Sequence, residues 1–514
     1  TSPLLAHAQR LMLLILAQAL ALLACVLVQC RRTRATSKGN ETVVKPDPPR
    51  AADAVVVPAQ PPPRIRPEPG SRIFRQSTLS NGMRVATEAF RVKQGDRAVI
   101  TVIVGAGSRH ETESLNGIAH YTEHMILRGA TPAMQLKSFE YAHDDRLGGS
   151  TTTERTEFHM YCREAEDAEP AIALLARMIV DAHFQDENVE RERRIIQAQC
   201  MQSGCDIRVF ALECLHKVAY HPNPLGLFTG GQLRTNEAIT ALDICRFYDA
   251  HYKSTNTIIT AVGDVDHEEI VRWAEYHFKD YAKGDARSAP TATWKHEFRL
   301  CLTSETDSFF VELAVQGPSD FWNSEDGLIL QLFNYAILCK AAPIFSRHNR
   351  HVNDVMSLLP YKEFTSVSQC FFTHLGLHVI IARWRYFAYG FTAADLEQTK
   401  EHYKIYNQEK GQCVRAVSCM LNLHMFHTGR HDSPDKMWSR VQAITIDRFR
   451  AVAKRILLDG EFTLVGYVPS DHPHPRLRTR KSIEFHLRRA PITRRVTRGD
   501  DSRSEMTLTE MFDE

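Results

Sequence analysis

His120, Glu123 and His124 fall within five residues, as His120-Tyr121-Thr122-Glu123-His124. Two histidines four apart lie on one face of a helix, so their ring nitrogens can ligate one metal ion. A glutamate one position before the second histidine can act as general base on a metal-bound water. This H-x-x-E-H order inverts the H-E-x-x-H pentad of zinc proteases, and its chemistry would be zinc-dependent peptide hydrolysis. A catalytic zinc takes three protein ligands and a water, whereas a structural zinc takes four. The third ligand therefore decides what the pentad can do.

The stretch Val189-Glu190-Arg191-Glu192-Arg193-Arg194-Ile195-Ile196-Gln197-Ala198-Gln199-Cys200-Met201-Gln202 resembles the E-R-E-R-x-V-I-x-x-E-x-Q helix of the M16 (inverzincin) family. That family includes the mitochondrial processing peptidase and the core proteins of the cytochrome bc1 complex. The resemblance puts the family's metal-binding glutamate at Gln199, and a neutral amide is a poor zinc ligand beside a carboxylate. Glu192 lies two turns earlier on the same face and matches the family's accessory glutamate. It could stand in as ligand with a shift of the helix. Cys200 and Cys205 flank this region and read as small apolar fillers.

The neighbouring segments extend the resemblance. Ala98 to Val104 is a β-rich run leading into Gly105-Ala106-Gly107-Ser108-Arg109, and Asn116-Gly117-Ile118-Ala119 opens the His120 helix. This is similar to the family's V-x-x-G-S-R … G-x-A-H-x-x-E-H segment. Leu147-Gly148-Gly149-Ser150-Thr151-Thr152-Thr153-Glu154-Arg155-Thr156 resembles its L-N-A-x-T-x-R-E-x-T strand, with Gly148 where the family has a substrate-presenting asparagine.

The elements that position these residues recur along the chain. A strand, glycine, polar loop and helix occur around Gly105 and again around Gly317, 212 residues on. Ala238-Ile239-Thr240, a helix, and a strand ending at Gly263 match Ala443-Ile444-Thr445, a helix, and a strand through Gly466, offset by 203. Units repeating at such a spacing imply duplicated α+β domains of roughly 200 residues. The second-half counterparts of His120, Glu123 and His124 fall near Leu332, Tyr335 and Ala336, so only the first half carries the metal chemistry. The M16 resemblance implies two homologous α+β domains, 73–285 with the H-x-x-E-H and 297–472, arranged like a clam. Folded structure begins with a hairpin around Asn81-Gly82. Ser346 to Pro360 holds no glycine, which sets the chain apart from the processing peptidase alpha subunit and beside its beta subunit and core protein I.

Leu11 to Cys30 is an apolar stretch whose only amides are Gln18 and Gln29, long enough to span a bilayer as a helix. It reads as a membrane anchor, with a cleaved signal or a targeting segment as alternatives for residues 1–30. Arg31, Arg32 and Arg34 on its C-terminal side put the following domains on the matrix or cytoplasmic side. Residues 31–72 form an extended Pro-rich linker, and 473–514 form a charged tail. Net charge is +2 over 514 residues, which gives nucleic acid no electrostatic footprint. The 12 cysteines include no C-x-x-C pair, in keeping with reduced thiols.

Two functions follow from the resemblance. One is a structural core subunit of mitochondrial ubiquinol–cytochrome c oxidoreductase, on the matrix side of the inner membrane, paired with an alpha-type M16 homologue and touching membrane subunits and lipid. The other is a catalytic beta subunit that cleaves presequences, with zinc on His120 and His124, Glu123 as base and Glu192 as accessory group. Gln199 and the anchor favour the first, in which no cofactor is expected; the intact pentad favours the second. Deleting residues 1–45 should leave a soluble, folded double domain, because a Pro-rich spacer lets few contacts cross it. The anchor reading fails if the truncated chain cannot fold, or if N-terminal sequencing of the mature protein begins beyond residue 30.

Overall fold

The computed structural model describes most of residues 67–469, apart from 129–140, 304–309, 340–355 and a few shorter stretches; 1–66 and all but four of 470–514 lie outside. The Leu11–Cys30 segment and nearly all of the Pro-rich linker thus fall outside the described residues. Among the described residues no helix is long and apolar enough to cross a membrane.

The chain enters its first sheet through the expected hairpin, β1 (Ile73–Thr78) and β2 (Arg84–Ala89), with Thr78 opposite Arg84. Gly82 turns the corner at φ +88°, in the left-handed region where a Cβ is strained. Its amide donates to Leu79 O, and Asn81 Oδ1 accepts from Met83 N. The remaining strands are β3 (Ala98–Val104), β4 (Leu147–Thr151), β5 (Thr156–Cys162) and β6 (Thr257–Gly263), giving the order β1-β2-β6-β3-β5-β4. Every residue of β3 and β6 is buried, as central strands covered on both faces require.

The second sheet comprises β7 (Phe298–Thr303), β8 (Phe310–Gly317), β9 (Ser357–Pro360), β10 (Thr365–Phe371) and β11 (Phe462–Pro469), in the order β7-β11-β8-β10-β9. In each sheet one pair is parallel, β2 with β6 and β7 with β11, and the pairs that follow are antiparallel. Strand for strand, β2-β6-β3-β5-β4 thus repeats as β7-β11-β8-β10-β9, and the duplication seen in the spacing of Gly105 and Gly317 is a repeat of topology.

One face of the first sheet packs on helices of its own half: α1 (Ile118–Arg128), α2 (Ala168–Val180), α5 (Ala241–His251) and α6 (His267–His277). Between them in the chain come α3 (Asp186–Cys205) and α4 (Ile207–Tyr220). The second sheet likewise carries α7 (Glu325–Leu338), α8 (Gly376–Arg385) and α9 (Ala393–Lys410), followed by α10 (Val414–Thr428). Leu332 and Ala336 of α7 are fully buried and Tyr335 packs its ring 4.9 Å from Tyr403, so the second-half counterparts of the histidines are apolar core. Ile483 and Leu487, within the segment read as a charged tail, are also buried in this core. Their spacing of four puts both on one side of a helical turn.

The remaining face of each sheet is covered by a helix from the other half. Val414, Val417, Leu421 and Met425 of α10 pack on Val99, Ile103, Ile258 and Val262 of the first sheet. Alternation along β3 separates the two faces: Ile100 and Val102 meet the first half's helices, and Val99 and Ile103 meet α10. Thr260 Oγ1 donates to Asn422 Oδ1 at 2.5 Å within the same layer. Reciprocally, Ala211, Leu215 and Ala219 of α4 pack on Phe310, Ala314 and Val465 of the second sheet. The segment joining the halves, expected near 285–296, is held in this seam: Lys295 N donates to Ala219 O at 2.8 Å, and Trp294 meets the Tyr220 ring edge-on at 5.4 Å.

Two buried ion clusters also cross from one half to the other. Arg109 donates to Glu154 Oε1 at 2.6 Å and to Glu363 Oε1 at 2.5 Å. Glu88 on β2 faces Arg72 at 2.8 Å and His431, beyond α10, at 3.2 Å. Burial pushes the Glu88 carboxyl up, but the hydrogen bond and charge of His431, with the Arg72 guanidinium, hold it below the ordinary glutamate range. Leu421→Ala should cost about 2–5 kcal/mol, as for other fully buried leucines. Hydrogen exchange should speed up in β3 and β6, not only in α10; an effect confined to the second half would contradict the reciprocal covering.

Candidate metal centre

The start of α1 is fixed before its histidines are. After β3 the chain passes through a short turn, Ser108–His110, to Glu111. The buried Glu111 carboxylate accepts from Gly117 N at 2.8 Å and Ala119 N at 2.9 Å, amides that have no partner within the helix, and from Asn116 Nδ2 at 2.8 Å. Gly117 takes φ +104°, and a Cβ there would lie 3.0 Å from Gly231 Cα. Ile118, Tyr121, Met125 and Ile126 then bury one side of α1 in the first core, leaving His120 and His124 half-buried together on another.

The two imidazoles stand edge to face, with ring centroids 4.7 Å apart. Burial, with the nearby charge of His124, pushes His120 down to about 4. Burial also lowers His124, against the opposing influence of Glu123 and of a hydrogen bond with Gln199. Both rings are therefore neutral at neutral pH, the form that offers a lone pair to a metal. His120 Nδ1 is buried and makes no hydrogen bond among the described residues.

Glu123 is 5% exposed, and its Oε2 accepts from Thr151 Oγ1 on β4 at 2.6 Å. Burial raises this carboxyl, with the Thr151 hydrogen bond opposing. Among the described residues β4 pairs only with β5 and so forms an edge of the sheet beside Glu123. Gly149 makes room for that contact, since a Cβ there would come within 2.9 Å of Glu123 Oε1. At Gly148 a Cβ would stand 2.7 Å from His159 Nε2, so an imidazole fills the space where a larger residue would project.

α3 brings Glu192 and Gln199 to the same place from the other side. Glu192, expected as the accessory group that could stand in as ligand with a shift of the helix, lies against His124 and Arg128. Its carboxylate is 4% exposed, accepts from His124 Nδ1 at 3.0 Å through Oε2, and is paired with Arg128 through Oε1. Through that hydrogen bond to Nδ1 it orients a histidine as an outer-shell carboxylate does. Cys200 is equally committed: Sγ donates to Gly230 O at 3.1 Å and accepts from Asn236 Nδ2 at 3.2 Å. Among the described residues no three His, Cys, Asp or Glu side chains converge as metal ligands. The donor set at the pentad is thus two imidazoles and one amide, which does not fit a catalytic zinc.

Three contributors were not singled out from the sequence: Glu111, Thr151 and Arg128. Arg128 follows His124 by four residues on α1, a spacing that could have flagged it, and an acid just ahead of a helix start is a recognised signal. Thr151 carries none, because its role comes from the fold alone.

Profiles of known families match the chain in two blocks: Insulinase (Peptidase family M16) over residues 84–231, and Peptidase M16 inactive domain over 238–351. Together they span half of the chain. The mitochondrial-processing peptidase subunit beta of Lentinula edodes is 24% identical over 423 residues, 76% of this chain and 89% of that protein. Subunit 1 of the bovine (Bos taurus) mitochondrial cytochrome b-c1 complex is 26% identical over 267 residues, 51% of this chain and 54% of that protein. A chain from the solved structure of Candida albicans Complex III2 with Inz-5 bound shares the fold at TM-score 0.66 and 18% identity, covering 80% of this chain and 99% of that one.

Glu111→Gln should cost about 1–3 kcal/mol, since one amide group cannot accept all three N–H donors. Urea denaturation measures the loss, and faster exchange of the Gly117 and Ala119 amides would localise it to the start of α1.

Proposed function

Because the chain belongs to the M16 peptidase family, we propose that it serves as a structural core subunit of the core protein I and processing peptidase beta type in mitochondrial ubiquinol–cytochrome c oxidoreductase, its zinc centre no longer able to assemble. One observation supports this reading: Gln199, which the resemblance aligns with the family's metal-binding glutamate, is a neutral amide hydrogen-bonded with His124. In this reading 73–285 and 297–472 are the two M16 domains, His120, His124 and Glu123 are the remnant of the centre, and Glu192 is its outer-shell support. The protein is a binding shell whose catalysis has lapsed, and a fold can keep its interfaces when its chemistry is lost.

Its partners are an alpha-type M16 homologue and the membrane subunits of the complex. Leu11 to Cys30 anchors it in the inner membrane, with the double domain on the matrix side. The neutral imidazoles and the retained Glu123 favour a second reading, an active zinc endopeptidase that cleaves presequences.

Metal analysis of the full-length chain should find well under one zinc per chain, and Gln199→Glu should increase uptake, because even outer-shell changes alter affinity about 10–100-fold. In mild detergent the chain should migrate with an alpha-type homologue and haem-containing subunits. One tightly held zinc per chain, or a soluble pair that cleaves presequences and carries no haem, would reverse the ranking.

A further inference from the structure

A hydrogen bond between two imidazoles joins the end of α10 to the turn that follows it. His424 Nδ1 and His431 Nδ1 stand 3.0 Å apart, and Gly429 between them turns the chain at φ +64°. Such a contact holds only if one nitrogen carries a hydrogen and the other a lone pair. Two neutral rings satisfy it, and so does one charged ring donating to a neutral one. A second proton would put two N–H groups face to face and two like charges side by side, and the bond would be lost.

The pair sits where the halves meet. His424 belongs to the helix that covers the first sheet, and His431 Nε2 faces the buried carboxylate of Glu88 on β2 across 3.2 Å. Phe74 of the first half packs on the His431 ring at 5.2 Å, and Trp322 of the second half meets His424 edge-on at 5.0 Å. Arg72, paired with Glu88, also donates to Gly411 O just ahead of α10. Other charges face the pair as well. Glu88 and Asp432 favour a proton on His424, while His431 and Arg440 oppose it. Asp432 is itself paired with Lys436 and Arg440. His427, one turn along α10 and stacked on Trp322 at 6.1 Å, lies under the charge of Arg155, and Arg84 Nη1 would be 3.4 Å from a Cβ at Gly429. Burial, with the charge of His431, pushes His424 down to about 4, so this ring is neutral at neutral pH.

We propose that His424 and His431 form a proton-operated latch holding the end of α10 against the first sheet, closed while the rings share at most one proton and released when both are charged. It works with or without a metal at the pentad, since no residue of that centre takes part. A histidine held neutral by the fold takes up a proton when the fold opens. Its contribution to stability is therefore whole above about 6.5 and is lost as pH falls towards about 4.

The test compares the full-length protein with His424→Gln, whose amide can donate to or accept from His431 Nδ1 but cannot become charged. Between about pH 7.5 and about pH 5, the unfolding constant of wild type in urea should rise roughly tenfold or more beyond that of the variant. His216 and His251, also pushed down to about 4 by burial, weaken both proteins alike, so the difference isolates the pair. Hydrogen exchange, corrected for its intrinsic pH dependence, should show excess acid loss of protection in α10, β3 and β6 of wild type alone. His431→Gln should likewise lose less than wild type, because His424 then faces no second imidazole. Equal pH dependence in wild type and both variants would overturn the latch, as would excess loss confined to segments away from α10. If His424→Gln fails to fold, His431→Gln carries the comparison. Failure of both also overturns the latch, in which an uncharged hydrogen-bonding side chain suffices at neutral pH.

Discussion

A sheet whose strands are apolar on both faces must be covered twice, and here each half leaves one face of its sheet to a helix of the other. That constraint governs the architecture. Val99 and Ile103 on β3, and Ile258 and Val262 on β6, would be open to water without α10, just as Phe310 and Ala314 on β8 would be without α4. Each pair of bulky aliphatic side chains so buried is worth roughly 3–6 kcal/mol by area alone. Loss of one exchanged helix would therefore remove much of the margin by which a domain of this size is stable. The exchange also explains why Thr260 and Thr101 can sit in an otherwise apolar layer: Asn422 and Ser418 on α10 meet them.

The candidate centre inherits its geometry from this arrangement. α3 carries Glu192 and Gln199 and runs almost directly into α4, the helix given to the second sheet. The far end of α3 is therefore tied to the second half while its middle holds His124. α1 on the opposing side is fixed by Glu111 at its start and by its own core contacts. The spacing between the pentad and the Gln199 position is thus a property of the double domain as a whole.

Local sequence signals accounted well for local structure. Asn81-Gly82 marked its hairpin, the H-x-x-E-H spacing put His120 and His124 on one face, and the glycine-terminated strands betrayed the duplication. What stayed hidden was pairing between distant segments. The apolar positions of α10, at 414, 417, 421 and 425, have the same helical period whichever sheet they meet, so nothing in the pattern assigns them to the other half. For Glu192 a sequence shows a carboxylate and not its neighbours, which in the fold are His124 and Arg128. The tail after 473 looked solvated because its arginines dominate the composition, and Ile483 and Leu487 were masked by them.

The exchanged helices set a timetable for synthesis. By the time β6 has left the ribosome at residue 263, the first half has all its strands and all but one of the helices for one face, yet the other face stays bare until residue 428 has emerged. At typical elongation rates of about 5–20 residues per second, that interval lasts roughly ten to thirty seconds. A broad aliphatic surface is exposed to solvent throughout, in a chain whose decisive contacts span more than 150 residues of sequence. A nascent chain of this design needs shielding until its second half arrives, and a truncation just before α10 leaves the first sheet with one face uncovered.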